Sequence, residues 1–324
     1  MSDDTLAVID GDQIAYVAAA ANEKRSIIAK CADTEVEFST RTAMKKWIAK
    51  QSDGPSYEDY SIEDVQSPAS IHFAYKTMRE KIDHICEAVG ANKYHIVVSG
   101  DTNFRMSIPL PKQYKSNRKN SLRPLQLKEC KQYLIDKYNA EVSVNCEADD
   151  VLTQYAWAAR NSSQKVVVCT FDKDHFGTAC NLYNTMSGEY HEIDGYGSLY
   201  WREDQNDVKG YGRSFFWFQC LRGDDSDSIH PRGWLEAPPK FGEKAIWNIL
   251  KDCKTDKEAL QVVYNKYKEW YPSPVTYTAW NGVQHTVNHV EILQMIVDCL
   301  HMQRTGPEDR VAIENVLDKL GVIR

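Results

Sequence analysis

The chain is expected to fold as an α/β protein, with a mostly parallel central sheet flanked by helices and a helical region after it. Three observations predict this. Short apolar runs at Leu6-Ala7-Val8-Ile9, His95-Ile96-Val97-Val98 and Lys165-Val166-Val167-Val168-Cys169 are continuous rather than alternating, as in strands buried on both faces. Segments of helical period separate them, and strands alternating with helices argue for a parallel sheet. Each run also leads into aspartate: Asp10, Asp101, and Asp172 with Asp174. Ligands of open parallel sheets bind beyond the carboxyl ends of the strands, so these acids should share one edge.

In order along the chain, Asp10-Gly11-Asp12 turns the first strand into a helix beginning at Ile14, Ala15 and Val17 to Ala21. From 22 to 68 the pattern is weak: a short strand over 35–39, a helix over 43–49 and a polar loop over 51–68. Phe73, Met78, Ile82, Ile85 and Val89 mark a helix ending near Gly90, before the second strand. After the third strand, residues 182–185 and 190–193 flank Ser187-Gly188 as a hairpin. Helices are expected over 215–221, from the glycine turn at 240–242 to Leu250, and over 261–270, 290–300 and 311–320. Asn281-Gly282 marks a hairpin within 276–287. Length alone allows one large domain or two, and the boundary is placed near residue 205, giving 1–204 and 205–324.

The stretch Cys146-Glu147-Ala148-Asp149-Asp150-Val151-Leu152 carries the most chemistry. Extended residues Glu141 to Val144 give way there to an apolar stripe at Ala148, Val151, Leu152, Tyr155, Ala156 and Ala159, so the acids sit at a helix start. One acid in a first turn suits the helix dipole. Three crowded carboxylates repel one another unless a cation neutralises them, which points to metal ligands; a solvated helix cap is the alternative. A further acidic cluster, Gly223-Asp224-Asp225-Ser226-Asp227, follows the helix at 215–221.

Hydrophobic residues make up 42% and charged residues 26% of the chain, the balance of an ordinary globular protein. No run reaches membrane-spanning length and no basic region with a long apolar stretch precedes the first strand, so a cytoplasmic protein without a membrane partner is expected. Nine cysteines without a C-x-x-C pair argue against a disulfide framework and a structural zinc site. The net charge of -7 counts against nucleic acid, but its distribution does not. From Arg105 to Lys131 eight basic residues (Arg105, Lys112, Lys115, Arg118, Lys119, Arg123, Lys128, Lys131) face one acid, Glu129. Cations beside clustered carboxylates suit a phosphodiester substrate held through divalent metals.

With these residues in place, the chain resembles the bacteriophage 5'-to-3' exonucleases and flap endonucleases, relatives of the 5'-nuclease domain of bacterial DNA polymerase I. The motifs fall in order: Asp10 in Ile-Asp-Gly-Asp; Asp101, then Phe104-Arg105 and Tyr114-Lys115-Ser116-Asn117-Arg118; Glu147-Ala148-Asp149-Asp150; Asp172-Lys173-Asp174; Gly223 to Asp227. Residues about 22–70 and 272–288 look like additions.

The resemblance implies a PIN-like 5'-nuclease core over 1–204, with a basic arch over about 102–131, and a helix-hairpin-helix region for duplex DNA over 205–324. It implies two Mg²⁺ or Mn²⁺ ions, the first among Asp10, Asp101, Glu147 and Asp149. The second would be served by Asp150, Asp172, Asp174, Asp224 and Asp227. Lys115 and Arg118, with Arg105, would act on the scissile phosphate. Lys112, Lys119, Arg123, Gly242 and Lys244 would contact DNA. The family's hairpin reads G-x-x-G-x-G-x-K; here Gly242 and Lys244 are kept while Ala237 and Lys240 replace two glycines, which weakens the case for a K⁺ site.

The expected substrate is DNA with 5' ends or flaps, with RNA in hybrids and replication proteins as further partners. Two rivals remain. Asp10-Gly11-Asp12 after a strand also suits an aspartyl-phosphate phosphatase, with Asp10 as nucleophile and Asp12 as acid. A non-catalytic DNA-binding relative is the other. Of the histidines, His175 is read as structural, and His285 with His289 lacks the glutamate of an H-E-x-x-H site.

Overall fold

The structure, a computed structural model, describes residues 4–51, 54–118, 121–160, 162, 164–193, 195–306 and 309–322. β1 (Thr5–Asp10), with five of six residues buried, runs directly into α1 (Gly11–Ala21). The junction requires glycine, because a Cβ on Gly11 would stand 2.7 Å from Val98 Cγ1 and 2.8 Å from the Val97 carbonyl oxygen.

The segment that reads weakly in the sequence is an antiparallel sheet. β2 (Glu23–Cys31) lies between β3 (Thr34–Phe38) and β4 (Ser61–Pro68), with α2 (Arg41–Ile48) between the last two in sequence. Ile27, Ala29, Met44 and Tyr60 form its core. The expected polar loop is wrong at β4, where eight backbone positions pair with β2 although only Ile62 reaches that core. Main-chain pairing there replaces the apolar pattern that would have revealed a strand. α3 (Ile71–Val89) precedes β5 (Lys93–Val98), and α4 (Leu127–Tyr138) follows the basic segment. Tyr75 of α3 stacks on Tyr133 of α4 with ring centroids 4.0 Å apart.

The antiparallel sheet, α2, α4 and most of α3 belong to a compact unit of Gln13–Asp83 and Leu122–Tyr138; the other unit, which includes β5, is Met1–Asp12, His84–Ser121 and Asn139–Arg324. The expected boundary near residue 205 therefore falls inside one unit. The reason is packing: Ile108, Leu110 and Tyr114 share a single apolar core with residues from Leu199 to Leu317. The expected arch over 102–131 is likewise shared between the two units.

The larger unit holds the parallel sheet. β6 (Glu141–Val142), α5 (Ala148–Ala159), β7 (Lys165–Cys169), β8 (Asn181–Tyr183) and β9 (Tyr190–Glu192) complete it in the order β6-β5-β1-β7-β8-β9, antiparallel only between β8 and β9. Asp10 pairs with Val97 and Ile9 with Cys169, so three strand ends reach one edge together. α5 packs Val151, Leu152 and Ala156 against Val8, Val97, Val166 and Val168. Burying Leu152 completely contributes about 1.5–3 kcal/mol toward holding the acidic helix start in place.

Beyond the sheet come the hairpin of β10 (Ser198–Arg202) and β11 (Asp207–Tyr211), which the sequence did not reveal, and α6 (Arg213–Arg222). α6 is buried at every position from Ser214 to Leu221, so it forms the centre of this region. α7 (Glu243–Leu250) and α8 (Asp256–Trp270) follow, the latter starting earlier than expected because Thr255 caps it. β12 (Val275–Thr278) and β13 (Gln284–Val287) turn at Asn281-Gly282, with Gly282 at φ +83°. α9 (His289–Leu300) and α10 (Ile313–Lys319) end the fold. The β12–β13 hairpin grips the root of the basic segment: Trp280 Nε1 donates to the Ile108 carbonyl at 3.0 Å and Tyr277 to that of Pro109. Among the described residues no helix is long and apolar enough to cross a membrane.

Candidate active site

The ends of β1 and β7 and the start of α5 place Asp10, Asp149, Asp172 and Asp174 along one edge of the sheet. Asp10 is buried and accepts a hydrogen bond from Thr170 Oγ1 at 3.1 Å. Asp149, in the first turn of α5, accepts one from His175 Nε2 at 3.1 Å. His175 lies in a short helical turn that opens with Asp172, whose carboxylate accepts from the Asp174 amide at 2.9 Å. Burial disfavours the imidazolium, but the Asp149 hydrogen bond and the charges of Asp149, Asp172 and Asp10 outweigh it and raise the pKa of His175. Asp172 is pushed up to about 7, first by burial and then by Asp174 and Asp149. Such crowding is the electrostatic signature expected of a site awaiting cations.

Basic side chains answer the remaining acids. Lys115 ion-pairs with Glu147, and its Nζ lies 3.8 Å from Asp227 Oδ2; Arg118 pairs with the other oxygen of Asp227. Tyr114, buried between them, donates to Glu147 at 3.2 Å or Asp227 at 3.1 Å. Lys115 has φ +57°, a conformation that bulky residues rarely adopt, stabilised by its amide donating to the Asp227 carbonyl at 2.8 Å. Lys173 joins Asp224 and, at 3.1 Å, Asp174, which also accepts from Gln219 Nε2 at 2.6 Å. Burial raises the pKa of Asp224, but Lys173 and Ser226 hold it down at about 2.

Lys173, Tyr114 and Gln219 were missed as site residues. Lys173 stands between two of the predicted acids, and Tyr114 within the quoted basic motif, so both had a signal; Gln219, inside an apolar helix, had only its polarity.

Two predicted site residues belong elsewhere. Arg105 and Asp150 form a buried fork, 2.6 and 2.9 Å apart at its two contacts, with relative exposures of 2% and 0%. Asp150 also accepts from the amides of Glu147 at 3.0 Å and Gln303 at 2.9 Å, so its acceptor sites are taken and none faces a metal. Arg105 also donates to the carbonyls of Cys299 and His301, both at 2.8 Å, and cannot meet a phosphate. Their expected catalytic and metal roles are corrected to a structural one. Asp101 is exposed after β5 and joins none of the ion pairs above.

Lys112, Arg123, Gly242 and Lys244 are exposed, as DNA contacts must be; Lys119 lies outside the described residues. Lys244 Nζ is 3.7 Å from Glu203 Oε1 and lies over the Trp201 ring. Gly242 caps α7 at φ -83° with open space where a Cβ would be, so its backbone does not demand glycine.

Donor chemistry suits a hard divalent cation, since every candidate ligand is a carboxylate oxygen and Asp172 carries uncompensated repulsion. As the side chains stand, no three such groups among the described residues converge on one point, and Glu147, Asp224 and Asp149 are paired with Lys115, Lys173 and His175. The acidic loop itself is rigidly specified. Gly223 sits at φ +79°, and a Cβ there would meet the Ile229 carbonyl oxygen at 2.2 Å, while Asp224 and Ile229 exchange backbone bonds of 2.9 and 2.8 Å. Gly223→Ala is expected to lower stability by about 2 kcal/mol or more, read from a urea unfolding midpoint; a loss below about 0.5 kcal/mol would mean the loop can relax.

No protein-family description matches the chain, and no curated protein does. Among solved structures, it is similar to bacteriophage T5 D15 protein co-crystallised with metal ions, at 16% identity and a TM-score of 0.48, covering 98% of this chain and 96% of that one. It is similar to T5 5'-exonuclease with bound zinc at 15% identity and 0.45, with the same coverage. A lysine-substituted T5 D15 flap endonuclease in a pseudo-enzyme-product complex with DNA and metal ions matches at 13% and 0.46, covering 98% and 99%. Likenesses this distant carry no inference about chemistry, which rests on the side chains described above.

Proposed function

We propose that this protein is a divalent-metal-dependent nuclease that hydrolyses DNA phosphodiesters near 5' ends, as an exonuclease or flap endonuclease. The observation that carries the reading is that Asp10, Asp149, Asp172 and Asp174 line one sheet edge, close enough for Asp10, Asp149 and Asp172 to act electrostatically on His175, in the unit that also presents Lys115 and Arg118. Asp10, Asp149, Asp172 and Asp174 would hold Mg²⁺ or Mn²⁺, joined by Glu147, Asp224 and Asp227 when their lysines engage phosphate. Divalent ions held there supply Lewis acidity, lowering the pKa of water and offsetting charge that develops on the phosphate.

The chain's own residues do the rest. Lys115 and Arg118 bind and orient the anionic phosphate, and Tyr114 fixes the rotamers of Glu147 and Asp227. His175 holds Asp149 in position from the buried side. An aspartyl-phosphatase reading leaves Glu147, Asp149 and Asp224 without a task.

End-labelled 5'-flap and blunt duplex DNA test the proposal. Ion-dependent products from the 5' end are expected, abolished by EDTA, and their lengths separate exonucleolytic from flap cutting. An RNA–DNA hybrid in the same assay reads RNA removal. Hydrolysis of a small phosphate ester with intact DNA would instead establish the phosphatase. Lys115→Ala combined with Arg118→Ala should depress cleavage and flatten the salt dependence of DNA binding by about one unit of log–log slope per lost phosphate contact. An unaltered slope would place these cations away from DNA.

A further inference from the structure

A cavity of about 670 Å³ lies beside the acidic loop, with Asp225 and Ser228 in its lining. That volume is within the roughly 300–1,000 Å³ typical of small-ligand sites. Four basic side chains, Lys112, Arg222, Arg232 and Lys240, line it against two acids, in a chain whose net charge is -7. Glu243 is paired by Arg222 at 2.6 Å, and the exposed Asp225 carboxylate lies 3.3 Å from the His230 ring. Arg232 is fixed by donating to the Pro239 carbonyl at 2.6 Å, which orders its guanidinium without neutralising it. Lys112, Arg232 and Lys240 thus bring positive charge from two distant parts of the chain into one concavity, and none of the three has an ion-pair partner among the described residues. Apolar side chains share the lining, among them Leu235, Pro238 and Phe241.

We infer that this cavity binds a nucleoside phosphate, the phosphate at Lys112, Arg232 and Lys240 and the base against the wall of Leu235, Pro238 and Phe241. The inference rests on the nuclease reading and deepens it: the ligand is an unpaired nucleotide of the substrate strand, held next to the loop that carries Asp224 and Asp227. Uncompensated cations alone would attract any anion; cations that share a cavity with an aromatic ring and prolines match the two-part chemistry of a nucleotide. His230 does not compete for the phosphate as a cation. Burial lowers its pKa, the charge of Lys112 adds to that, and Asp225 only partly opposes them.

The test is binding of a short fluorescein-labelled oligothymidylate, followed by anisotropy in EDTA so that no cleavage is needed. Lys112→Glu with Lys240→Glu should weaken binding on the order of tenfold or more, with an unchanged melting temperature because neither side chain has a hydrogen-bond or ion-pair partner among the described residues. The neutral pair Lys112→Gln and Lys240→Gln should fall between. Thymidine 5'-monophosphate displacing the oligonucleotide better than inorganic phosphate would show that a free nucleotide also fits. Failure of the mononucleotide to compete, with the variant still impaired, would assign the site to a nucleotide within a strand. Unchanged affinity in the charge-reversed variant overturns the inference, as does inorganic phosphate competing as well as the mononucleotide. Impaired binding in a protein that cuts no DNA would sink the nuclease reading alone.

Discussion

Replacing Arg105 by Ala is expected to cost about 3–5 kcal/mol of stability, the scale for breaking a buried ion pair and leaving one charge behind. The stranded partner would be Asp150, which has no exposed surface and receives two of its four hydrogen bonds from this guanidinium. The carbonyls of Cys299 and His301 would lose their donors as well. Arg105→Lys should recover only part of the loss, since an ammonium cannot span both carboxylate oxygens and both carbonyls in one plane. Urea unfolding decides it: a loss under about 1 kcal/mol would show that the fork is dispensable. Any loss of cleavage by these variants should follow the fraction unfolded.

The second large effect separates function from stability. Asp172→Asn should reduce cleavage by several orders of magnitude, because a ligand oxygen with full charge is lost from a site whose chemistry depends on cations. The same change should raise the melting temperature in EDTA at pH 8. The sign follows from the raised pKa. In the folded protein the carboxyl titrates at about 7, driven by burial, then Asp174 and Asp149, whereas an unfolded Asp titrates near 4. The neutral form is favoured on folding, so no penalty exists below about pH 4, it grows as pH rises, and it is complete above 7. Asparagine removes that penalty. Adding Mg²⁺ should stabilise the native protein more than the variant; a variant that melts lower than the parent in EDTA at pH 8 would make Asp172 a structural acid.

The contrast between Asp172 and Asp150 shows how far the sequence could be read. Both are acids in motifs of the right order, and nothing in their neighbours distinguishes them. What separates them is Arg105 and the backbone of Gln303, contacts made across 45 and 153 residues. The parallel sheet was legible because β1, β5 and β7 are continuous apolar runs, and its acid edge followed from topology. β4 and the β10–β11 hairpin were not, since pairing with a neighbouring strand leaves little trace in a mostly polar segment. The three lysine and arginine partners of Glu147, Asp224 and Asp227 lay within segments already marked as basic or acidic. Only the coordinates show that they neutralise one another.

The fork at Arg105 also bears on the order in which the chain can assemble. α5 has its capping acid, Asp150, but one of that acid's backbone donors arrives only with residue 303, 153 residues further along the chain. During vectorial synthesis the sheet would form before the main-chain clasp that finishes its acidic helix, and such long-range closure is slow. A ribosome-stalled fragment ending before α9 should therefore remain open to protease within α5, while the released protein resists it.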